Sequence, residues 1–147
     1  MGASRYSVSL RVWHPSMNPR DITAALGVEP RRSWKAGEPR TTPVGNPLGG
    51  TNRETYWCTV LCHGNMPPYT LATEVSGALD QLASHRAFLH RLRVEGGRSE
   101  FFIGWYLGSQ AGETFLHSTL AKMADLGIDL VLDNYHDPNL PDDAEQQ

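Results

Sequence analysis

Three groups of residues have types that could do chemistry, and their spacing decides what each can do. Cys58-Thr59-Val60-Leu61-Cys62-His63 has the composition of a metal or thiol site. On an extended strand, residues four apart stand about 13 Å apart, at ~3.3 Å per residue. A disulfide needs Cα atoms within about 7 Å, and two thiolates on one zinc ion sit closer still. Both cysteines are therefore read as small inward-facing hydrophobes. His85 and His90 are five residues apart, about 140° around a helix, so they share no face. His85 falls in an apolar stripe and reads as a satisfied core or boundary histidine. Gly45-Asn46-Pro47-Leu48-Gly49-Gly50-Thr51 has glycines reminiscent of a phosphate loop. It has no lysine and a strand follows it, so the charge and the anion-binding helix N-terminus are both missing. Asp129 and Asp133 share a face but suit a solvated strand better than acid–base catalysis. Nucleophile-elbow, zinc-protease and dinucleotide motifs are not found. No catalytic residue, metal or cofactor is expected.

The remaining chemistry is recognition. Pro30-Arg31-Arg32-Ser33-Trp34-Lys35-Ala36-Gly37 surrounds a tryptophan with cations, and Arg40 follows it. Such a cluster can clamp a phosphate or carboxylate, or anchor an interface. The plainer reading makes Trp34 a peg that pins a long loop, with Arg31, Arg32, Lys35 and Arg40 merely solvated. A second candidate surface is an uncovered sheet face carrying Arg11, Trp57, Thr59, Asp129, Val131 and Asp133, because an aromatic such as Trp57 on an open face marks an interface.

The elements that must position these residues follow from periodicity. Tyr6, Val8, Leu10 and Val12 alternate with polar residues, which predicts a strand over 5–13. Asn18-Pro19 is an N-cap with proline at the first helical position, and Gly27 ends the short helix. Residues 27–53 hold four prolines (Pro30, Pro39, Pro43, Pro47) and little apolar periodicity, and read as one long functional loop. A strand over 54–62 is expected to put Tyr56, Cys58, Val60 and Cys62 on one face, before Asn65-Met66-Pro67-Pro68 breaks it. A stripe from Leu71 to Leu92 predicts a helix over 70–94, bent or ending early. A strand over 99–107 has aromatics on both faces. A helix from Glu113 is expected to turn Leu116, Leu120 and Met123 inward, and the last strand spans 128–135. The fold class is α/β (α+β): a two-layer sandwich with a four-stranded sheet, helices on one face, and the order β-α-loop-β-α-β-α-β.

The chain has 147 residues, 39% hydrophobic and 20% charged, which fits one domain and excludes disordered, collagenous and membrane-embedded classes. The domain is expected over 1–136. The tail over 137–147, with four acids and no base, is expected to be disordered. Charge is split: residues 1–53 hold eight basic and three acidic residues, residues 54–147 five basic and thirteen acidic. The net charge of -3 argues against nucleic acid as a partner. No apolar run spans a membrane, and the N-terminus reads as a strand rather than a signal peptide, so a cytoplasmic location is expected.

Assembled in order, the residues resemble a known family. Val8-x-Leu10-x-Val12-Trp13, the run Asp21 to Gly37 with Leu26-Gly27-x-x-Pro30-x-x-Ser33-Trp34-x-x-Gly37, then Tyr56-Trp57 and Leu126-Gly127-Ile128, are similar to the bacterial domain of unknown function 4279 family. The resemblance covers roughly residues 5–135. It implies a small soluble α/β domain without an assigned enzymatic activity and, for some relatives, an immunity-like partnership with toxins. Residue patterns and resemblance together favour a non-enzymatic protein-binding module using the loop and the open face. The rivals are an anion or small-metabolite sensor or enzyme built on the basic loop, and a homodimer through the open face.

Overall fold

The computed structural model describes residues 4–66, 71–107 and 112–136. The alternation at the N-terminus becomes the centre of a sheet. In β1 (Ser4–His14), Tyr6, Val8, Leu10 and Val12 are buried, and the odd-numbered residues point the other way. β1 pairs antiparallel with β5 (Thr55–Met66) on one side and with β6 (Arg98–Leu107) on the other. β6 pairs in parallel with β7 (Ile128–His136), and β2 (Arg32–Trp34) adds to the outer edge of β5. The order is β2-β5-β1-β6-β7, a five-stranded sheet where four strands were expected.

The extra strand comes from the stretch read as an irregular loop, which also forms a separate hairpin of β3 (Pro39–Thr41) and β4 (Pro47–Thr51). These strands are three to five residues long and almost wholly exposed, so no alternation of burial marks them in the sequence. Backbone bonds close the hairpin: Gly37 N–H donates to the Asn52 carbonyl and Asn52 N–H to that of Glu38. Gly37 and Gly45 take the positive φ that these turns require.

Helix α1 (Pro19–Leu26) begins and ends as expected. The Asn18 side chain accepts from Arg20 N–H, and Gly27, at φ 72°, returns its N–H to the Thr23 carbonyl. The 70–94 stripe is two helices, α2 (Leu71–Leu82) and α3 (Arg86–Val94), joined by a 3-10 turn over Ala83–His85. The turn redirects the chain so that Leu89 and Leu92 reach the core, and leaves His85 half-exposed. α4 (His117–Leu126) starts four residues later than predicted. It buries Thr119, Met123 and Leu126, spaced by four and three, and leaves Leu116 and Leu120 exposed rather than inward. Pro67, Pro68, Thr70 and the tail from Asp137 lie outside the described residues.

The phase of β5 is the main correction. Val12 faces Trp57 and Leu10 faces Thr59, so these two point to the helical side, Trp57 into the core and the half-buried Thr59 to the Glu29 carbonyl, while Tyr56, Cys58 and Val60 point away. Ser9 pairs with Val60 but Val8 with Cys62, so Leu61 is an extra residue. This bulge inverts the alternation and turns Cys62 inward. Trp57, placed by the sequence reading on the open face, is 0% exposed and donates its indole N–H to Thr23 Oγ1 at 3.0 Å. Cys58 and Cys62 therefore sit on opposite faces, and both are free thiols.

Two further buried polar groups hold the β1–α1 corner. Thr55 Oγ1 donates to the Met17 carbonyl at 2.6 Å and accepts from Ala36 N–H, tying corner, loop and β5 together. His14 Nδ1 accepts from the N–H groups of Ser16 and Met17, so Nε2 carries the proton and donates to Glu95 at 2.9 Å. Gly97 passes so close that a Cβ there would stand 2.5 Å from the Trp13 carbonyl oxygen.

Removing Trp57 should therefore be a core deletion. Trp57→Ala is expected to lose about 3–5 kcal/mol in urea denaturation. Thr23→Val, which strands the indole N–H, should lose about 1–3 kcal/mol. A Trp57→Ala loss under about 0.5 kcal/mol, the scale of surface substitutions, would contradict this placement.

Candidate functional site: the open face of the sheet

All four helices contribute to one core on the side of Val8 and Leu10. Among the described residues no helix packs on the other face of the sheet, where arginines lie over aromatic rings. At one edge, Arg32 lies over Trp34 with 4.9 Å to the ring centre. Trp34 packs on Tyr56 at 4.5 Å, and Tyr56 on Trp13 at 5.3 Å. Arg98 covers Trp13 at 4.2 Å, and Arg11 covers Phe102 at 3.6 Å. At the far end Arg5 stands over Tyr106, which stacks on Tyr135. Strand register produces this ladder: Trp34 opposes Tyr56, Tyr56 opposes Trp13, and Trp13 opposes Arg98.

Charge changes sign across the face. Arginines occupy β2, β1 and, with Arg98, the first position of β6, while Glu100, Asp129 and Asp133 lie further along β6 and on β7. Arg11 pairs with Glu100 at 3.8 Å and Arg98 with Glu54 at 3.4 Å. Burial holds the Glu100 carboxyl above its usual range, Arg11 and Arg98 pull it back, and Asp129 pushes it further up. Tyr56 is also raised, by burial and by its hydrogen bond with Cys58. On the helical side, burial and the nearby Glu74 push the Cys62 thiol up to about 11, which keeps it protonated and inert at neutral pH.

The structure gathers some of the sequence-selected residues and separates others. Arg11, Arg32 and Trp34 lie on the open face. Trp34 is half-buried there as part of the aromatic stack. Arg31 is exposed and gives its N–H to the Cys58 carbonyl, and the Lys35 carbonyl accepts from Asn52 and Glu38. Arg40 lies instead with Trp34 and Arg53 in a cleft of about 530 Å³ beside the hairpin. Trp57 belongs to the core. Sequence reasoning missed Trp13, Tyr56, Arg98, Phe102 and Tyr106. The odd positions of 5–13 carried the signal for Arg5 and Trp13, since they oppose the apolar stripe. The phase of β5 carried none.

Among the described residues, no three histidine, cysteine or acidic side chains gather as a metal site would require. No helix there is long and apolar enough to cross a membrane. Fold and face define a mixed α+β domain with a five-stranded sheet, helices on one side and an arginine–aromatic surface on the other. The chain belongs to the family described as a domain of unknown function (DUF4279), whose model matches residues 4–137. No curated protein and no solved structure matches the chain. Of the residues that carried the resemblance, Leu26 is buried in the core, Gly27 caps α1, and Gly37 turns the chain into the hairpin.

Glu100 gives a pH test with a definite sign. A carboxyl raised by the fold binds its proton more tightly when folded than when unfolded. Its ionised form therefore costs stability at neutral pH, and that cost vanishes as pH falls through the folded pKa. Glu100→Gln should raise Tm at neutral pH, with the gain fading on acidification. A lower Tm at neutral pH would show that the pair with Arg11 outweighs burial.

Proposed function

We propose that this protein is a non-enzymatic protein-binding module whose contact surface is the open sheet face. The observation that carries the reading is the row of four arginines, each lying over an aromatic ring on a face that carries no helix among the described residues. Arginine, tryptophan and tyrosine dominate the energetics of protein interfaces. The stacks hold long side chains in fixed positions, so less entropy is lost when a partner docks. An immunity-like role, in which this face caps another protein, is one form of the reading. Arg11→Ala combined with Trp34→Ala should weaken the partner captured by wild type by at least about tenfold, or ~1.4 kcal/mol. Val94→Ala, at an exposed position on α3, should not. Unchanged affinity in a folded double variant would refute it.

A second reading is favoured by the cleft beside the hairpin. Trp34, Arg40 and Arg53 line it, and neither Arg40 nor Arg53 has an ion pair among the described residues. An anion held there would stabilise the fold by about 2.7 kcal/mol at 100 times its dissociation constant. A thermal-shift series with phosphate and small carboxylates should show the gain in wild type and lose it in Arg40→Ala/Arg53→Ala. No shift with any anion would remove this reading and leave the first standing.

A further inference from the structure

Among the described residues no strand covers the far edge of the sheet, which points to a different contact. β7 pairs with β6 residue for residue from Ile128 to His136, without a bulge, and its sequence holds neither proline nor glycine. Among the described residues nothing pairs with its other edge. A nine-residue edge whose outer N–H and C=O groups pair with no strand among the described residues is a template for another strand.

Its two sides differ in chemistry. On the helical side Leu130 is half-buried and Leu132 is 48% exposed, although Leu132 faces the same way as the core residue Ile103. α4 meets α2 through Lys122, which reaches Asp80 at 2.8 Å. Lys122 and Leu120 flank the buried Thr119–Met123 line on opposite sides of that helix. Leu120, 45% exposed, is thereby turned away from α2 and toward the β7 edge. On the open side, Asp129 and Asp133 alternate with Val131. Arg93 reaches Asp129 at 3.5 Å, and Asp133 accepts a hydrogen bond from the Tyr135 hydroxyl. The edge thus offers backbone bonds, an apolar strip on one side and two carboxylates on the other.

We propose that the β7 edge takes up an extended segment of a partner protein as a sixth strand, and that this segment alternates basic with apolar residues. Its basic side chains would meet Asp129 and Asp133, and its apolar ones Leu132 and Leu120. Main-chain bonds would supply affinity and the alternation would supply specificity. A basic segment meets both Asp129 and Asp133 with opposite charge, which a second copy of β7 does not: antiparallel self-pairing centred on Val131 sets Asp129 against Asp133, centring on Asp133 sets that carboxylate against itself, and centring on Leu132 sets the two against Tyr135 and Val131.

The test uses the whole chain and three labelled eight-residue peptides. One alternates lysine with isoleucine, one glutamate with isoleucine, and the third is the lysine peptide N-methylated at alternate backbone positions. Fluorescence anisotropy should show the lysine peptide binding at least about tenfold more tightly than the other two. Amide exchange should slow along β7 in its presence. Asp129→Asn with Asp133→Asn should weaken that binding, while Arg11→Ala with Trp34→Ala should leave it unchanged, which separates this contact from the open-face reading. Equal binding of the N-methylated peptide would overturn the proposal, as would no binding of the lysine peptide. Concentration-dependent protection of β7 without any peptide would overturn it in favour of a second copy.

Discussion

Among the described residues, helices pack on one face of this sheet only, so the other face is made compatible with water by its own side chains. Arginine stacked on aromatic rings is the interaction that does this. The guanidinium covers the ring with a weakly hydrated flat surface while keeping its charge at the solvent. The same arrangement turns a bare sheet into a surface of fixed shape and alternating chemistry. Glu100 shows how closely these groups are packed: its side chain is only 16% exposed on the uncovered face, and burial dominates its titration.

The ladder depends on register, and register depends on a few buried polar contacts on the helical side. Trp57 ties β5 to α1 through Thr23, Thr55 ties it to the β1–α1 corner, and His14 ties that corner to Glu95 beyond α3. These contacts set which β5 residues face outward, and so place Tyr56 between Trp13 and Trp34. The link from core to surface is therefore a matter of strand phase. A one-residue slip of β5 would put Trp57 in solvent and Tyr56 inside.

Much of the fold was legible because burial leaves a period. The 6–12 alternation, the Asn18-Pro19 cap and the Gly27 stop all read directly as the elements they form. The four principal strands were legible too. The phase of β5 was not, because aromatic and β-branched residues occupy both of its faces and the Leu61 bulge reverses its alternation midway. The strands within 32–51 left no trace because they bury almost nothing. For the candidate site, Arg11, Arg32 and Trp34 were visible as a basic and aromatic composition. Their neighbours Trp13, Arg98 and Phe102 come from strands far apart in the chain, and only the sheet order brings them together.

The account turns on whether the open face is occupied when the protein is at work. Oxidative footprinting of the purified chain and of the same chain inside cells measures this directly, residue by residue. The expected result is that Trp13, Trp34 and Tyr56 react in the purified protein and are shielded in the cell, while Trp57 is protected in both. Equal reactivity of the three open-face residues in both settings would contradict the account, because the arginine–aromatic ladder would then be a solvated surface and not a contact.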